Sequence, residues 1–126
     1  MPIPRSLNKK FFKKWTSAMA YVLGFFAADG NMIKNKRGAH FIKFYNCDRK
    51  LLARIRSVLK SNHKIGIHTQ KRNIRQNTTY QLQIGSKELF SDLLSLDMSP
   101  AKSKILRLPK IPSRFHGDFV RGYFDG

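Results

Sequence analysis

The chain has 126 residues, enough for one domain that buries roughly two-thirds of its unfolded surface. Its single cysteine, Cys47, excludes an intramolecular disulfide and a cysteine zinc site, and points to a reducing, intracellular compartment rather than secretion. Twenty-five Lys and Arg against seven acids give a formal charge of +18, which excludes an ordinary near-neutral enzyme and points to a polyanionic partner, nucleic acid ahead of an anionic membrane surface.

Residues 1–14 form a basic lead carrying Lys9, Lys10, Lys13 and Lys14. With the apolar run Ala18–Ala28 it imitates a secretory signal peptide, but the bulky Phe26 stands where a cleavage site ending at Ala28 needs a small side chain. The run is also shorter than the roughly 20 apolar residues that span a membrane. Thr16 or Ser17 caps a helix running to Ala28, and Gly30 stops it. This helix is apolar on nearly all sides, so it is predicted to be buried. Ala20, Gly24, Ala27 and Ala28 fall at i, i+4, i+7 and i+8, a stripe of small side chains against which another helix can pack closely.

Alternation next predicts a hairpin of Met32–Lys36 and Ala39–Asn46 around Arg37-Gly38. In its second strand Ile42 and Phe44 share one face, and Phe41, Lys43 and Tyr45 the other; in its first, Ile33, Asn35 and Arg37 compete with Met32, Lys34 and Lys36 for the outward face. Asp48 caps an amphipathic helix through Leu51, Leu52, Ile55, Val58 and Leu59 that ends near Asn62. In a second hairpin Ile65, Ile67 and Thr69 alternate with Lys64, Gly66, His68 and Gln70, and Tyr80, Leu82 and Ile84 alternate with Thr79, Gln81 and Gln83. Its long loop carries Lys71, Arg72, Arg75 and Asn77. Ser86 caps a third helix with Leu89, Phe90, Leu93 and Leu94, completing an α-β-β-α-β-β-α unit over 15–98. Pro100, Pro109 and Pro112 make 99–114 a Pro/Lys-rich linker, after which 115–126 starts another helix.

That last helix repeats the first. Superposing Gly24 on Gly122 aligns Val22 with Val120 and Phe25-Phe26 with Tyr123-Phe124. Gly122 opens a matching small-residue stripe, and on this register the counterpart of Asp29 is the position after Gly126. The sequence is therefore expected to be the N-terminal part of a longer protein, interrupted within the second copy.

A four-stranded antiparallel sheet has one face for its helices and one left over. The leftover face collects Lys43, Tyr45, Lys64, His68, Gln70, Gln81 and Gln83, with Lys71, Arg72 and Arg75 at the tip of the second hairpin and Asn35 and Arg37 as candidates on the first. Cations neutralise phosphates, while amides, His and Arg read base edges in a major groove wide enough for a β-ribbon, which makes this face a candidate surface for double-stranded DNA.

Val22-Leu23-Gly24-Phe25-Phe26-Ala27-Ala28-Asp29-Gly30 resembles the nine-residue signature of the LAGLIDADG homing endonucleases, and the order of strands and helices after it is that of the family repeat. Met98–Ser103, then Pro109–Pro112 leading into Phe119–Gly126, resemble the bridge into a second signature. The resemblance implies an α+β fold of αββαββα halves whose signature helices pack together, each ending in an acid at the floor of a DNA-binding saddle. It implies that Asp29 is catalytic and a ligand of Mg²⁺ or Mn²⁺, with Asn46 and Lys102 beside it and Lys104 as the alternative to Lys102. The chemistry agrees, since hard divalent ions prefer carboxylate and phosphate oxygens. Ala27 stands where the signature has its first acid, a packing position that Asp125 fills in the second copy.

The implied activity is site-specific, metal-dependent cleavage of duplex DNA in an intron- or intein-associated setting, with intron RNA as a further partner and no membrane. No intein splicing residues are visible. The second acid is expected from a second repeat in cis or from a homodimer, so the chain alone is expected not to make double-strand breaks. The competing expectation is a non-cleaving binder, an RNA-splicing maturase or a DNA-binding regulator.

Overall fold

A computed structural model describes residues 6–68, 78–98 and 110–126. Gln70, Lys71, Arg72, Arg75, Asn77, Lys102 and Lys104 lie outside the described residues, as does most of the expected linker.

The first helix, α1, is Ser17–Asp29, and Thr16 is its cap: the Thr16 hydroxyl accepts from the Met19 N–H at 3.0 Å. Every residue from Met19 to Phe26 is buried, as its apolar circumference requires. Strand β1 (Gly30–Lys34) follows without a gap and pairs with β2 (His40–Asn46). It starts and stops two residues before the span expected from alternation. The Asn35 side-chain oxygen ends it, accepting from the N–H groups of Arg37 (3.0 Å) and Ala39 (2.9 Å) to build the turn, with Gly38 at φ +84°. Met32 is buried, which turns Asn31 and Ile33 outward.

Helix α2 (Arg49–Val58) is capped by Asp48, whose carboxylate accepts from the Lys50 N–H at 2.9 Å. It ends sooner than its apolar period suggests. Lys60 takes a left-handed φ of +53°, and the N–H groups of Lys60 and Ser61 return to the carbonyls of Ser57 and Arg56. The same closure ends α3 (Lys87–Ser95): Asp97 has φ +66°, and Met98 bonds back to Leu93 while burying its side chain. Between these helices lie β3 (Ile65–His68) and β4 (Thr79–Gly85), and a 3-10 turn at Ser113–Phe115 leads into α4 (His116–Asp125).

The four strands form one antiparallel sheet in the order β1-β2-β4-β3. Its inner face carries Met32, Ile42, Phe44, Leu82, Ile84 and Ile65, all buried beneath α1, α2 and α3. Ile67 shares the parity of Ile65 but is exposed, because β3 is an edge strand and Ile67, opposite Tyr80, lies past the helical layer.

The basic lead is part of this core from Ser6 onward. Phe11 and Phe12 are buried, the Asn8 N–H donates to the Leu59 carbonyl at 2.8 Å, and Lys13 bridges Asp92 (3.1 Å) and Glu88 (3.2 Å) on α3. No described helix is long and apolar enough to cross a membrane.

Candidate functional site

The small-residue stripe of α1 lies against α4 through reciprocal backbone contacts. A Cβ added at Gly24 would overlap the Phe119 carbonyl oxygen and come within 2.9 Å of the Tyr123 nitrogen. One added at Gly122 would overlap the Tyr21 carbonyl oxygen and come within 3.0 Å of the Phe25 nitrogen. Tyr21 and Phe25 correspond to Phe119 and Tyr123 on the Gly24–Gly122 alignment, so the two helices are related by a local two-fold axis. Ala20 is fully buried; Ala27 and Ala28 are partly covered. Gly126 packs on Ala28 and the Phe25 carbonyl, so the two helices run parallel and end side by side.

Asp29 closes α1 at this paired end. The residue is exposed and its carboxylate makes no hydrogen bond or ion pair among the described residues, and the desolvation it does undergo beside the helix pair pushes its carboxyl above the ordinary value of 3.8. Asn46, the last residue of β2, points to the helical side of the sheet and donates from Nδ2 to the Asp125 carbonyl oxygen at 2.9 Å. The Asp125 carboxylate accepts from the Tyr21 hydroxyl at 2.5 Å. Burial first, and this bond second, push the Tyr21 phenol up to about 12. The Arg121 guanidinium stands over the Tyr21 ring, 5.5 Å from its centroid. Among the described residues, then, Asp29 has no partner, while Asp125 is held by Tyr21.

One carboxylate with hard oxygens suits a divalent cation that keeps water and substrate phosphate as its other ligands. Among the described residues no group of three or more His, Cys, Asp or Glu forms an all-protein cage.

On the opposite face of the sheet, outward side chains fall into rows set by the register. One row is Asn31–Lys43–Gln83; the next toward Asp29 is Tyr45–Gln81–Gly66; the next away from it is Ile33–Phe41–Gly85. Lys43, Tyr45, Gln81 and Gln83, expected on one face, are brought together there, and the backbone of His68 sits opposite Thr79. Lys64 precedes β3 and lines a cleft of about 420 Å³ with Phe41, His63, Gln83 and Gly85. Arg37 is exposed in the first turn, whereas the Asn35 oxygen is committed to that turn.

Asn31 was not among the sequence candidates. Its Oδ1 is buried without a hydrogen-bond partner among the described residues. Carrying the outward alternation of Ile33 and Asn35 two positions back would have found it. Phe41 and Ile33 were passed over because they are apolar, and Tyr21 because its partner lies 104 positions away.

A family model described as a LAGLIDADG-like domain matches residues 16–96, from the cap of α1 to the end of α3. A search of curated proteins finds no match. Among solved structures the chain is similar to a variant of I-DmoI in complex with its target DNA, nicked in the coding strand and in the presence of 2 mM Mn, at 19% identity and a TM-score of 0.45. That similarity covers 93% of this chain and 61% of the other, so this chain spans less than two-thirds of that protein's length. With the domain match extending over most of its residues and the signature helix inside it, the chain belongs to the LAGLIDADG-like family.

Proposed function

We propose that this chain is a DNA-binding unit of a LAGLIDADG-type homing endonuclease, acting inside the cell, that holds duplex DNA on the outward face of its sheet and contributes Asp29 to metal-dependent phosphodiester hydrolysis. The observation that carries this reading is the reciprocal packing of Gly24 and Gly122, which sets α1 and α4 side by side next to an exposed carboxylate that has no partner among the described residues. The +18 charge and the Lys, Asn and Gln side chains of the outward rows support duplex DNA as the polyanion.

In this reading Asp29 holds the divalent cation, Mg²⁺ or Mn²⁺, with phosphate and water completing its shell. The bound ion would act as a Lewis acid and lower the pKa of its water. Asp29 must be ionised to serve, so its raised carboxyl makes protons compete with the metal. Asn46 ties α4 to the sheet beside Asp29 through its bond to the Asp125 carbonyl. Lys102, with Lys104 as the alternative, is retained as the proposed basic residue near the reacting phosphate.

The outer side of α4 supports a second repeat, in cis or from a second copy. Val22 and Phe26 are 0% and 4% exposed under the sheet, while their counterparts Val120 and Phe124 are 49% and 81% exposed. A second sheet would cover them as the first covers α1. Asp29→Asn is expected to abolish Mg²⁺- or Mn²⁺-dependent cleavage by the assembled enzyme and to leave DNA affinity within a few-fold; full cleavage by that variant overturns the assignment. The second reading is a non-cleaving binder, a maturase or regulator, in which the same cationic sheet face holds nucleic acid without hydrolysis. Tight duplex binding with no nicking in any divalent ion would select it.

A further inference from the structure

We infer that the row Ile33–Phe41–Gly85 is an apolar specificity element that contacts thymine methyl groups about two base pairs outward from the bases read by Lys43 and Gln83. This rests on the proposal that the sheet face binds duplex DNA. Register pairs Ile33 with Phe41 and Phe41 with Gly85, so the three cross β1, β2 and β4 side by side on the outward face. Gly85 contributes no side chain, and the Phe41 ring lies over it: a Cβ there would stand 3.3 Å from Phe41 Cε1. The cleft of about 420 Å³ opens beside the ring, with Lys64 on its wall as a cation available to a phosphate. Phe41 and Ile33 are mostly covered, yet each keeps part of its apolar side chain open on the outward face of a strongly cationic chain, where a methyl group of bound DNA can reach it.

The major groove presents one apolar group, the C5-methyl of thymine, and apolar side chains are its natural contacts. The polar row next to this one carries Gln83, which matches an adenine edge, and Lys43, which matches a guanine edge. Two residues along a strand advance about 6.7 Å, and two base pairs advance about 6.8 Å. The apolar row is farther from Asp29 than the polar row, so the thymine preference falls on the distal side of the purine preference.

The test selects duplexes bound by the full chain from a random pool, then replaces each thymine of a recovered site by deoxyuridine, which removes only the methyl group. The expected result is a thymine about two base pairs from a preferred purine, whose replacement weakens wild-type binding about fourfold, the value of one buried carbon. The same replacement should cost Phe41→Ala less than about 1.5-fold, since the contact is already gone. Ile33→Ser, at the row's other end, should show a reduced uracil penalty as well; circular dichroism establishes that both variants fold. Equal wild-type affinity for thymine and uracil sites, or an undiminished uracil penalty in Phe41→Ala, overturns the assignment of this row. Failure to recover any bound duplex at low salt overturns the DNA-binding reading itself, and this inference with it.

Discussion

Replacing Gly24 by alanine places a methyl group on the Phe119 carbonyl, and Gly122→Ala does the same at the Tyr21 carbonyl. Both obstacles are backbone, so no side chain can swing away. Relieving contacts of 2.9 Å at Phe119 C and Tyr123 N means parting the helices. Moving them to ordinary separations of about 3.5–4.0 Å forfeits about a quarter to a half of the dispersion energy along the seam. Overpacking of this kind costs about 1–3 kcal/mol, and a fixed backbone puts it at the upper end. Alanine returns at most about 1 kcal/mol of helix propensity, for a net loss near 2 kcal/mol. For a chain of this size that lowers Tm by about 6–8 °C.

Gly117, also in α4, is the control, because a Cβ there meets nothing within 4 Å. Gly117→Ala should raise Tm by about 3–4 °C at most, through propensity alone. The assay is built into the chain. Trp15, its single tryptophan, stacks on Phe115 at the entrance to α4 with centroids 6.1 Å apart, so tryptophan fluorescence reports the docking of α4 alongside the thermal melt. Equal melting and fluorescence for Gly24→Ala and Gly117→Ala would refute the reasoning.

Tyr21→Phe should cost about 1.5 kcal/mol, the lower end for a hydrogen bond to a charged group because Asp125 is still partly open to water, and calorimetry measures it. In the wild type the Tyr21 phenol is raised, so the stability it contributes is present below pH 10 and lost as pH rises through about 12, which ultraviolet titration with parallel melts will detect. For Asp29 the raised carboxyl means that stability from this group is present below 3.8 and lost as pH climbs through the higher folded value. Metal-free Asp29→Asn should therefore melt above the wild type at neutral pH, and a lower melting point would contradict the desolvation argument. If the outward face neutralises about six phosphates, log K for duplex DNA should fall against log[salt] with a slope of roughly −5. A salt-insensitive complex would contradict that face as the interface.

Element order was legible because its signals are local. Asp48 and Ser86 cap their helices as read, the apolar signature run is buried, and Gly24 and Gly122 meet as their repetition suggested. Helix α2 stops early through a left-handed lysine, and Lys60 gives no compositional warning as a glycine would. Lys9–Lys14 reads as a charge cluster, yet its two phenylalanines enter the core, because a pair of adjacent aromatics has no helical or strand period to reveal it. Asp29 was visible as the end of a small-faced helix. The holding of Asp125 by Tyr21 and of the α4 terminus by Asn46 was not, since both are contacts between segments far apart in sequence. The outward rows required the register, which fixes which amide stands beside which lysine and exposes the apolar row between strands.

The most direct test of the central claim is Mn²⁺ uptake by electron paramagnetic resonance, with wild type and Asp29→Asn each saturated with the same bound duplex and the uptake of the duplex alone subtracted. The account predicts excess Mn²⁺ in the wild-type complex, none in Asp29→Asn, and DNA affinities within a few-fold of each other. Equal Mn²⁺ uptake by the two complexes would contradict it.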